Sequence, residues 1–167
     1  MCNLNQMKKL LVLLFCFLPF KDHAQQPQII KINQLKAIIG QPDDRILVLN
    51  FWATWCGPCV SELPLFEKLN AENRPDVRVA LVSLDLDLDP DPKKVYKFVS
   101  RKKLRSEVFV LDEKDPNAWI DQIDGEWSGA LPATIVINKK TGKRKFVGTA
   151  LKPGEIERLI KEVQELN

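Results

Sequence analysis

Apolar and polar positions along the chain change period in a way that predicts alternating strands and helices. Two nearly continuous apolar runs, 45–51 and 77–84, are typical of strands that are covered on both faces. Elsewhere apolar residues recur at helical spacing, as Leu63, Phe66 and Leu69 do. The full pattern predicts strands over 28–32, 45–51, 77–84, 108–111, 133–138 and 143–147, and helices over 33–39, 59–73 and after Pro92, Pro116 and Pro153.

The order of these elements predicts the fold class. Strands that alternate with helices, followed by a hairpin and a last helix, indicate an α/β protein with a central mixed sheet and helices on both faces. The hairpin is indicated by residues 139–142, Lys-Lys-Thr-Gly, which separate two strand-like runs. The chain has 167 residues and shows neither repeats nor a low-complexity linker, which favours one folded domain.

The beginning of the sequence has the pattern of a secretory signal peptide. A cationic start and the apolar segment 10–20 precede a short polar stretch that ends at Ala24. We therefore expect a signal peptide over residues 1–24, cleaved near Ala24, and a domain over residues 25–167 in the periplasm or cell envelope. Two alternatives stay open: a lipid anchor on Cys16, and an N-terminal helix that remains part of the domain.

Composition and charge exclude several classes of protein. Of all residues, 45% are apolar, which is enough to form a hydrophobic core. The formal net charge of +3 is too small to predict a nucleic-acid-binding surface. No apolar run reaches the roughly 18–20 residues of a membrane-spanning helix. Loss of residues 1–24 would also remove His23, the only histidine, and with it every mechanism that needs a histidine base.

Candidate chemistry concentrates at one pair of cysteines. Cys56 and Cys59 are two residues apart and lie where the predicted strand 45–51 gives way to a helix. A cysteine at a helix N-terminus is stabilised as a thiolate by free N–H groups and by the positive end of the helix dipole. Such a thiolate at Cys56 would attack a disulfide, and Cys59 would then release the product from the mixed disulfide. The spacing therefore predicts a thiol–disulfide exchange site.

Other roles for the cysteine pair fit the sequence less well. A zinc site needs about four ligands, and a single pair without histidine does not supply them. Covalent haem attachment needs a histidine after the second cysteine, where this chain has Val60. We expect no metal, haem or other cofactor at the pair; two inert core cysteines remain the alternative.

An acidic run later in the chain has the opening spacing of a calcium loop. Asp85, Asp87 and Asp89 alternate with other residues, but Pro90 stands where such a loop needs glycine. Tyr96 stands where the loop needs glutamate. We interpret the run as the end of a strand leading into a solvated loop.

Two segments resemble a known family. Residues 50–59, Asn-Phe-Trp-Ala-Thr-Trp-Cys-Gly-Pro-Cys, resemble the active-site segment of the thioredoxin superfamily. Residues 60–64, Val-Ser-Glu-Leu-Pro, make the chain similar to exported TlpA-like thiol–disulfide oxidoreductases. Residues 129–134, Gly-Ala-Leu-Pro-Ala-Thr, are similar to the family loop that carries a cis-proline opposite the cysteines. The resemblance follows nearly all of residues 25–167 in element order and implies a thioredoxin-like fold.

The resemblance also implies how the cysteines exchange protons. Cys56 and Cys59 would be the catalytic pair. Thioredoxin has a buried aspartate that handles the proton of the second cysteine, and this chain has Asn50 at that position. Glu62, which the TlpA-like family also has, is the implied replacement and the third catalytic candidate. A surface acid near the helix start is the other interpretation of Glu62.

Substrate-binding residues and partners are implied in the same way. Pro132 would be cis, the backbone of Leu131 would pair with an extended substrate segment, and Trp55 would shape the substrate groove. The implied partners are disulfide-containing client proteins and a membrane-side electron donor, without nucleic acid. The dipeptide 57–58, Gly-Pro, resembles that of thioredoxin and favours a reductant. An oxidant or isomerase of the same fold, or a non-catalytic thioredoxin-like binding module, is the alternative.

Overall fold

The computed structural model describes residues 26–165, so the predicted signal peptide and Cys16 lie outside the described residues. The strands are β1 (Gln28–Ile30), β2 (Ile46–Trp52), β3 (Val77–Ser83), β4 (Glu107–Leu111), β5 (Ala133–Asn138) and β6 (Arg144–Val147). The helices are α1 (Ile32–Gly40), α2 (Gly57–Ala71), α3 (Lys93–Lys102), α4 (Ile120–Ile123) and α5 (Glu155–Glu165), with 3₁₀ turns at Asp85–Asp87 and Pro116–Ala118. Within the described range, each helix is too short or too polar to cross a bilayer.

All six strands form one mixed sheet in the order β1–β4–β3–β2–β5–β6. β1, β4, β3 and β2 are parallel to one another, whereas β5 is antiparallel to both β2 and β6. β2 therefore lies inside the sheet, and its carboxyl end at Trp52 has β3 on one side and β5 on the other. In open α/β sheets, ligands bind beyond the carboxyl ends of such strands.

Separate hydrophobic cores cover the two faces of the sheet. One lies under α2, α3 and α5, and the other lies under α1 and α4. Val48 and Trp52 of β2 point into the first core. Leu49 and Phe51 point into the second. Because side chains alternate along a strand, Asn50 faces α2 together with Val48 and Trp52.

The predicted fold class is confirmed, and the differences concern where helices begin. The first helix begins at Ile32 rather than after Asn33. Lys31 is its N-cap residue, and the Lys31 N–H donates to Gln34 Oε1 (2.9 Å), which stabilises a first turn that starts before Asn33. The helix predicted after Pro116 is divided into a 3₁₀ turn and the short α4. Trp119, at φ −135°, separates the two, since that backbone angle is not helical.

Candidate active site

The cysteine pair lies at the start of α2, which follows β2 after a short loop. Cys56 is the N-cap residue of α2, and Pro58 occupies the first turn, where its missing N–H leaves no hydrogen bond unmade. Cys56 and Cys59 form a disulfide with a Cα–Cα distance of 5.3 Å, so the prediction that the two sulfurs can bond is confirmed. Cys56 is 6% exposed and Cys59 is fully buried. A thiol partner from outside can therefore reach only Cys56 directly.

One backbone N–H of α2 is directed at the sulfur of Cys56. The Cys59 N–H donates to Cys56 Sγ over 3.3 Å. The positive end of the α2 dipole lies at the same place. When the disulfide is reduced, these groups favour the ionised form of the Cys56 thiol. Once reduced, such an arrangement can make Cys56 a nucleophile next to a buried second thiol.

Glu62 is buried on α2, three residues after Cys59. It is 3% exposed, so its interpretation as a surface acid is wrong. Its Oε1 accepts from Asn50 Nδ2 (2.8 Å), and its Oε2 accepts from the Leu151 N–H (2.6 Å). Burial raises the pKa of the Glu62 carboxyl above its ordinary value, and the two hydrogen bonds act in the opposite direction. Such a carboxyl is suited to accept and return a proton nearer to neutral pH.

Asn50 holds the Glu62 carboxyl in place without titrating itself. Besides Glu62, its Nδ2 lies 3.0 Å from Thr134 Oγ1, and Thr134 is the register partner of Asn50 on β5. Asn50 Oδ1 is buried and has no hydrogen-bond partner among the described residues. Sequence reasoning named Asn50 and Glu62 but missed Thr134 and Leu151.

The Pro132 loop lies beside the pair because β5 is hydrogen-bonded to β2. The Leu131–Pro132 peptide bond is cis, as the resemblance implied. The Trp127 Nε1–H donates to the Ala130 carbonyl oxygen (2.9 Å) and anchors the loop. Gly129 has φ +85°, and a Cβ there would lie 2.7 Å from Ile120 Cδ1, so this position requires glycine.

Trp55 and Leu131 border the cysteine pair without being part of its chemistry. Trp55 is 51% exposed, one of the few large apolar side chains left at the surface. Leu131 is partly buried and packs against both cores. An exposed aromatic ring and a fixed loop next to a reactive sulfur form a surface to which a polypeptide segment could bind.

Asp85 is a site residue that the sequence interpretation placed wrongly. It is 3% exposed rather than solvated. Its carboxylate accepts from the Thr54 N–H (2.9 Å), from the Thr54 hydroxyl and from the Ser83 hydroxyl (2.8 Å). Since Thr54 lies two residues before Cys56, Asp85 fixes the segment that leads to Cys56. Its position directly after a strand parallel to β2 was the signal that could have identified it.

Within residues 26–165, no cluster of histidine, cysteine, aspartate and glutamate has the arrangement of a metal site.

A family model described as Redoxin matches residues 39–149. The match runs from the end of α1 through β6. It includes the cysteine pair, Glu62, Asp85 and the Pro132 loop.

Among characterised relatives, the thioredoxin of Mycolicibacterium smegmatis is 37% identical over 54 residues. That alignment covers 32% of this chain and 48% of the thioredoxin. The thioredoxin-like protein YneN of Bacillus subtilis is 31% identical over 105 residues, covering 63% of this chain and 57% of that protein. The chain thus spans about half the length of the curated relatives it matches.

Solved structures are similar over most of the described domain. A thioredoxin-related protein from Neisseria meningitidis serogroup B superposes with a TM-score of 0.63 at 21% identity, covering 74% of this chain and 88% of the other. A secreted disulfide oxidoreductase of Mycobacterium tuberculosis superposes with a TM-score of 0.54 at 24% identity, covering 72% and 83%. The predicted thioredoxin-like fold is therefore confirmed.

Proposed function

Because the chain belongs to the Redoxin family, we propose that it is a thiol–disulfide oxidoreductase that cycles between a Cys56/Cys59 dithiol and a disulfide. One observation carries the proposal: Cys56 Sγ is bonded to a fully buried Cys59 while the N-terminus of α2 is directed at it. A purely structural pair would not need its outer sulfur at a helix N-terminus. The purified protein should accelerate insulin reduction by dithiothreitol; a rate equal to that of dithiothreitol alone would contradict the proposal.

The proposed cycle begins with the reduced protein. The Cys56 thiolate attacks one sulfur of a client disulfide, whose S–S bond breaks as the mixed disulfide forms. Cys59 gives its proton to the Glu62 carboxylate and attacks Cys56 Sγ. The second S–S bond breaks, the client leaves as a dithiol after taking up protons, and Cys56 and Cys59 are left oxidised. Two electrons have moved from the protein to the client.

The exposed side of the pair is the proposed client surface. We infer that Trp55 contacts the client side chains next to its disulfide. The backbone of Leu131, before Pro132, would pair with an extended client segment. Because β5 and the Trp127 hydrogen bond hold this loop, the client would meet a fixed edge. Because such an edge binds the client through its main chain, it accepts clients of different sequence.

The proposed direction is reduction of clients. The dipeptide 57–58, Gly-Pro, is that of thioredoxin, whose potential is about −270 mV, compared with about −120 mV for a strong oxidant. We expect the Cys56/Cys59 couple to equilibrate with a thiol buffer below about −200 mV, as measured by alkylation of the free thiols. A potential above about −150 mV would identify an oxidant or isomerase instead.

We further propose that the protein acts outside the cytoplasm, with residues 1–24 removed as a signal peptide. The match to a secreted oxidoreductase supports this location. The reducing electrons would then come from a membrane-side donor. The mass of the protein isolated from an envelope fraction should correspond to a chain that begins at Gln25. A lipidated Cys16 or an intact N-terminus would contradict cleavage near Ala24.

A further inference from the structure

A groove of about 320 Å³ opens directly beside the active-site segment. It is lined by Thr54 and by four residues of α3: Lys94, Lys97, Phe98 and Arg101. Thr54 belongs to the loop between β2 and α2 and lies two residues before Cys56. A molecule in this groove would therefore lie next to the loop that carries the nucleophile. Neither the proposed cycle nor the Trp55 surface uses the groove.

The groove is strongly basic. Residues 93–105 carry seven lysine and arginine residues and no acidic residue. Lys94, Lys97 and Arg101 are exposed and follow one another at roughly one-turn spacing on α3. Within residues 26–165, none of these three cations lies within 4 Å of a carboxylate oxygen. Their charges are therefore not ion-paired with carboxylates of the protein and reinforce one another in the groove.

The groove has a rigid floor that is joined to the active site. Phe98 is almost completely buried, and its ring lies 5.2 Å from that of Trp52, the last residue of β2. The guanidinium of Arg101 lies 5.6 Å from the centre of the Phe98 ring. On the opposite wall, Asp85 fixes Thr54. The carboxylate of Asp85 is buried and accepts hydrogen bonds from Thr54 and Ser83, so it holds the loop and is not paired with a cation of the groove.

We propose that this basic groove binds an acidic segment of the client polypeptide next to the disulfide that Cys56 attacks. The inference rests on the proposed function and adds a substrate class to it: disulfides flanked by aspartate and glutamate. Unpaired cations in a groove attract carboxylates of opposite charge and raise the rate of encounter. A groove at the nucleophile's loop favours a client over a membrane surface, because the bound carboxylates and the reacting disulfide then belong to one chain.

Three peptides test the proposal, each with the same internal disulfide and with flanks of glutamate, serine or lysine. We expect the reduced protein to reduce the glutamate peptide with a kcat/KM about 10-fold above that for the serine peptide at low salt. The lysine peptide should be the slowest. The preference should vanish near 1 M salt, where the Debye length is about 3 Å instead of about 30 Å at 0.01 M.

Two triple variants with the same change in charge separate the groove from net charge. Lys94→Ala, Lys97→Ala and Arg101→Ala together should remove the preference and leave the rate with the serine peptide within about 2-fold. Lys114→Ala, Lys140→Ala and Lys161→Ala together change exposed lysines outside the groove and should keep the preference. All six positions are exposed, and circular dichroism verifies folding.

Four other results would each contradict a specific part of the proposal. Equal rates with all three peptides in the parent protein would overturn the acidic groove but leave the oxidoreductase intact. Failure with all three peptides would contradict the proposed function itself. An equal loss in both triple variants would assign the preference to net charge. If the groove variant keeps its peptide preference but no longer sediments with vesicles of phosphatidylglycerol, the groove is a membrane contact and the proposal is wrong.

Discussion

Changing Cys56 to serine should lower insulin reduction to the rate of dithiothreitol alone, a loss of more than about 10³-fold. The thiolate is the attacking species in disulfide exchange, and a serine hydroxyl stays un-ionised at neutral pH. Cys59 cannot replace it, because its side chain is fully buried beneath Cys56. The measurement is insulin precipitation at a fixed dithiothreitol concentration, with folding verified by thermal denaturation.

Cys59→Ala is the matched control for this loss. It keeps the nucleophile but removes the thiol that resolves the mixed disulfide, so a peptide adduct should accumulate on Cys56 and disappear with dithiothreitol. Cys56→Ser should give no such adduct. If Cys56→Ser reduced insulin as well as the parent, the protein would be a non-catalytic binding module. Alkylation of Cys56 at the rate of an ordinary thiol would equally contradict the activated nucleophile.

Changing Glu62 to glutamine should slow exchange near neutral pH by about 10²-fold, the usual size of a general base contribution. The carboxylate is proposed to take the proton of Cys59, and an amide of the same shape cannot. The loss should fall on release of the mixed disulfide rather than on its formation, since Cys56 keeps its helix N-terminus. Stopped-flow measurement of the two steps separates them.

The pH profile gives the proton role a sharper test. The carboxylate form is the active base, so the rate in the parent should fall as pH falls through the raised pKa of Glu62. In the release step, which does not depend on ionisation of a free Cys56 thiol, Glu62→Gln should lack this limb. Burial also raises the pKa of a second carboxyl, that of Asp87, to about 6. Asp87→Asn is therefore the control and should retain the limb; an unchanged profile in Glu62→Gln would remove the proton role.

Stability supplies a second readout of the same group. Because the pKa of Glu62 is raised in the folded state, the folded chain retains a proton that the unfolded chain has lost once pH exceeds the ordinary glutamate value. The free energy of unfolding should therefore decrease as pH rises through the interval between the unfolded and folded pKa values. Urea denaturation across this interval should show a smaller decrease in Glu62→Gln than in the parent.

The parts of the site that depend on local sequence were predictable. Cys56 and Cys59 could be placed at a helix N-terminus because the change from a continuous apolar run to helical spacing falls between Phe51 and Leu63. Both central strands were predictable for the same reason: a strand buried on two faces leaves a run of apolar residues. These features depend on the residues of one segment alone.

The parts that depend on distant segments were not predictable. Asp85 lies in an acidic run that resembles a solvated loop, and the hydrogen bonds that it accepts from Thr54 come from a segment 31 positions away. Leu151 is 89 positions from Glu62 and contributes only its backbone N–H. Because every residue except proline has this group, the residue type at position 151 does not predict the contact. The apolar stripe of α3 predicted its buried face, but only the fold shows that its basic face meets Thr54.

The backbone contact from Leu151 to Glu62 has a consequence for protein engineering. Grafting residues 50–64 into another scaffold would transfer both sulfurs and the carboxyl side chain. It would not include Leu151, in the turn before α5, whose N–H donates to Glu62. It would also lack the Thr134 hydroxyl of β5, which lies within hydrogen-bond distance of Asn50. Such a chimera would form its disulfide yet handle protons differently. A working transplant therefore has to include the C-terminal third of the domain.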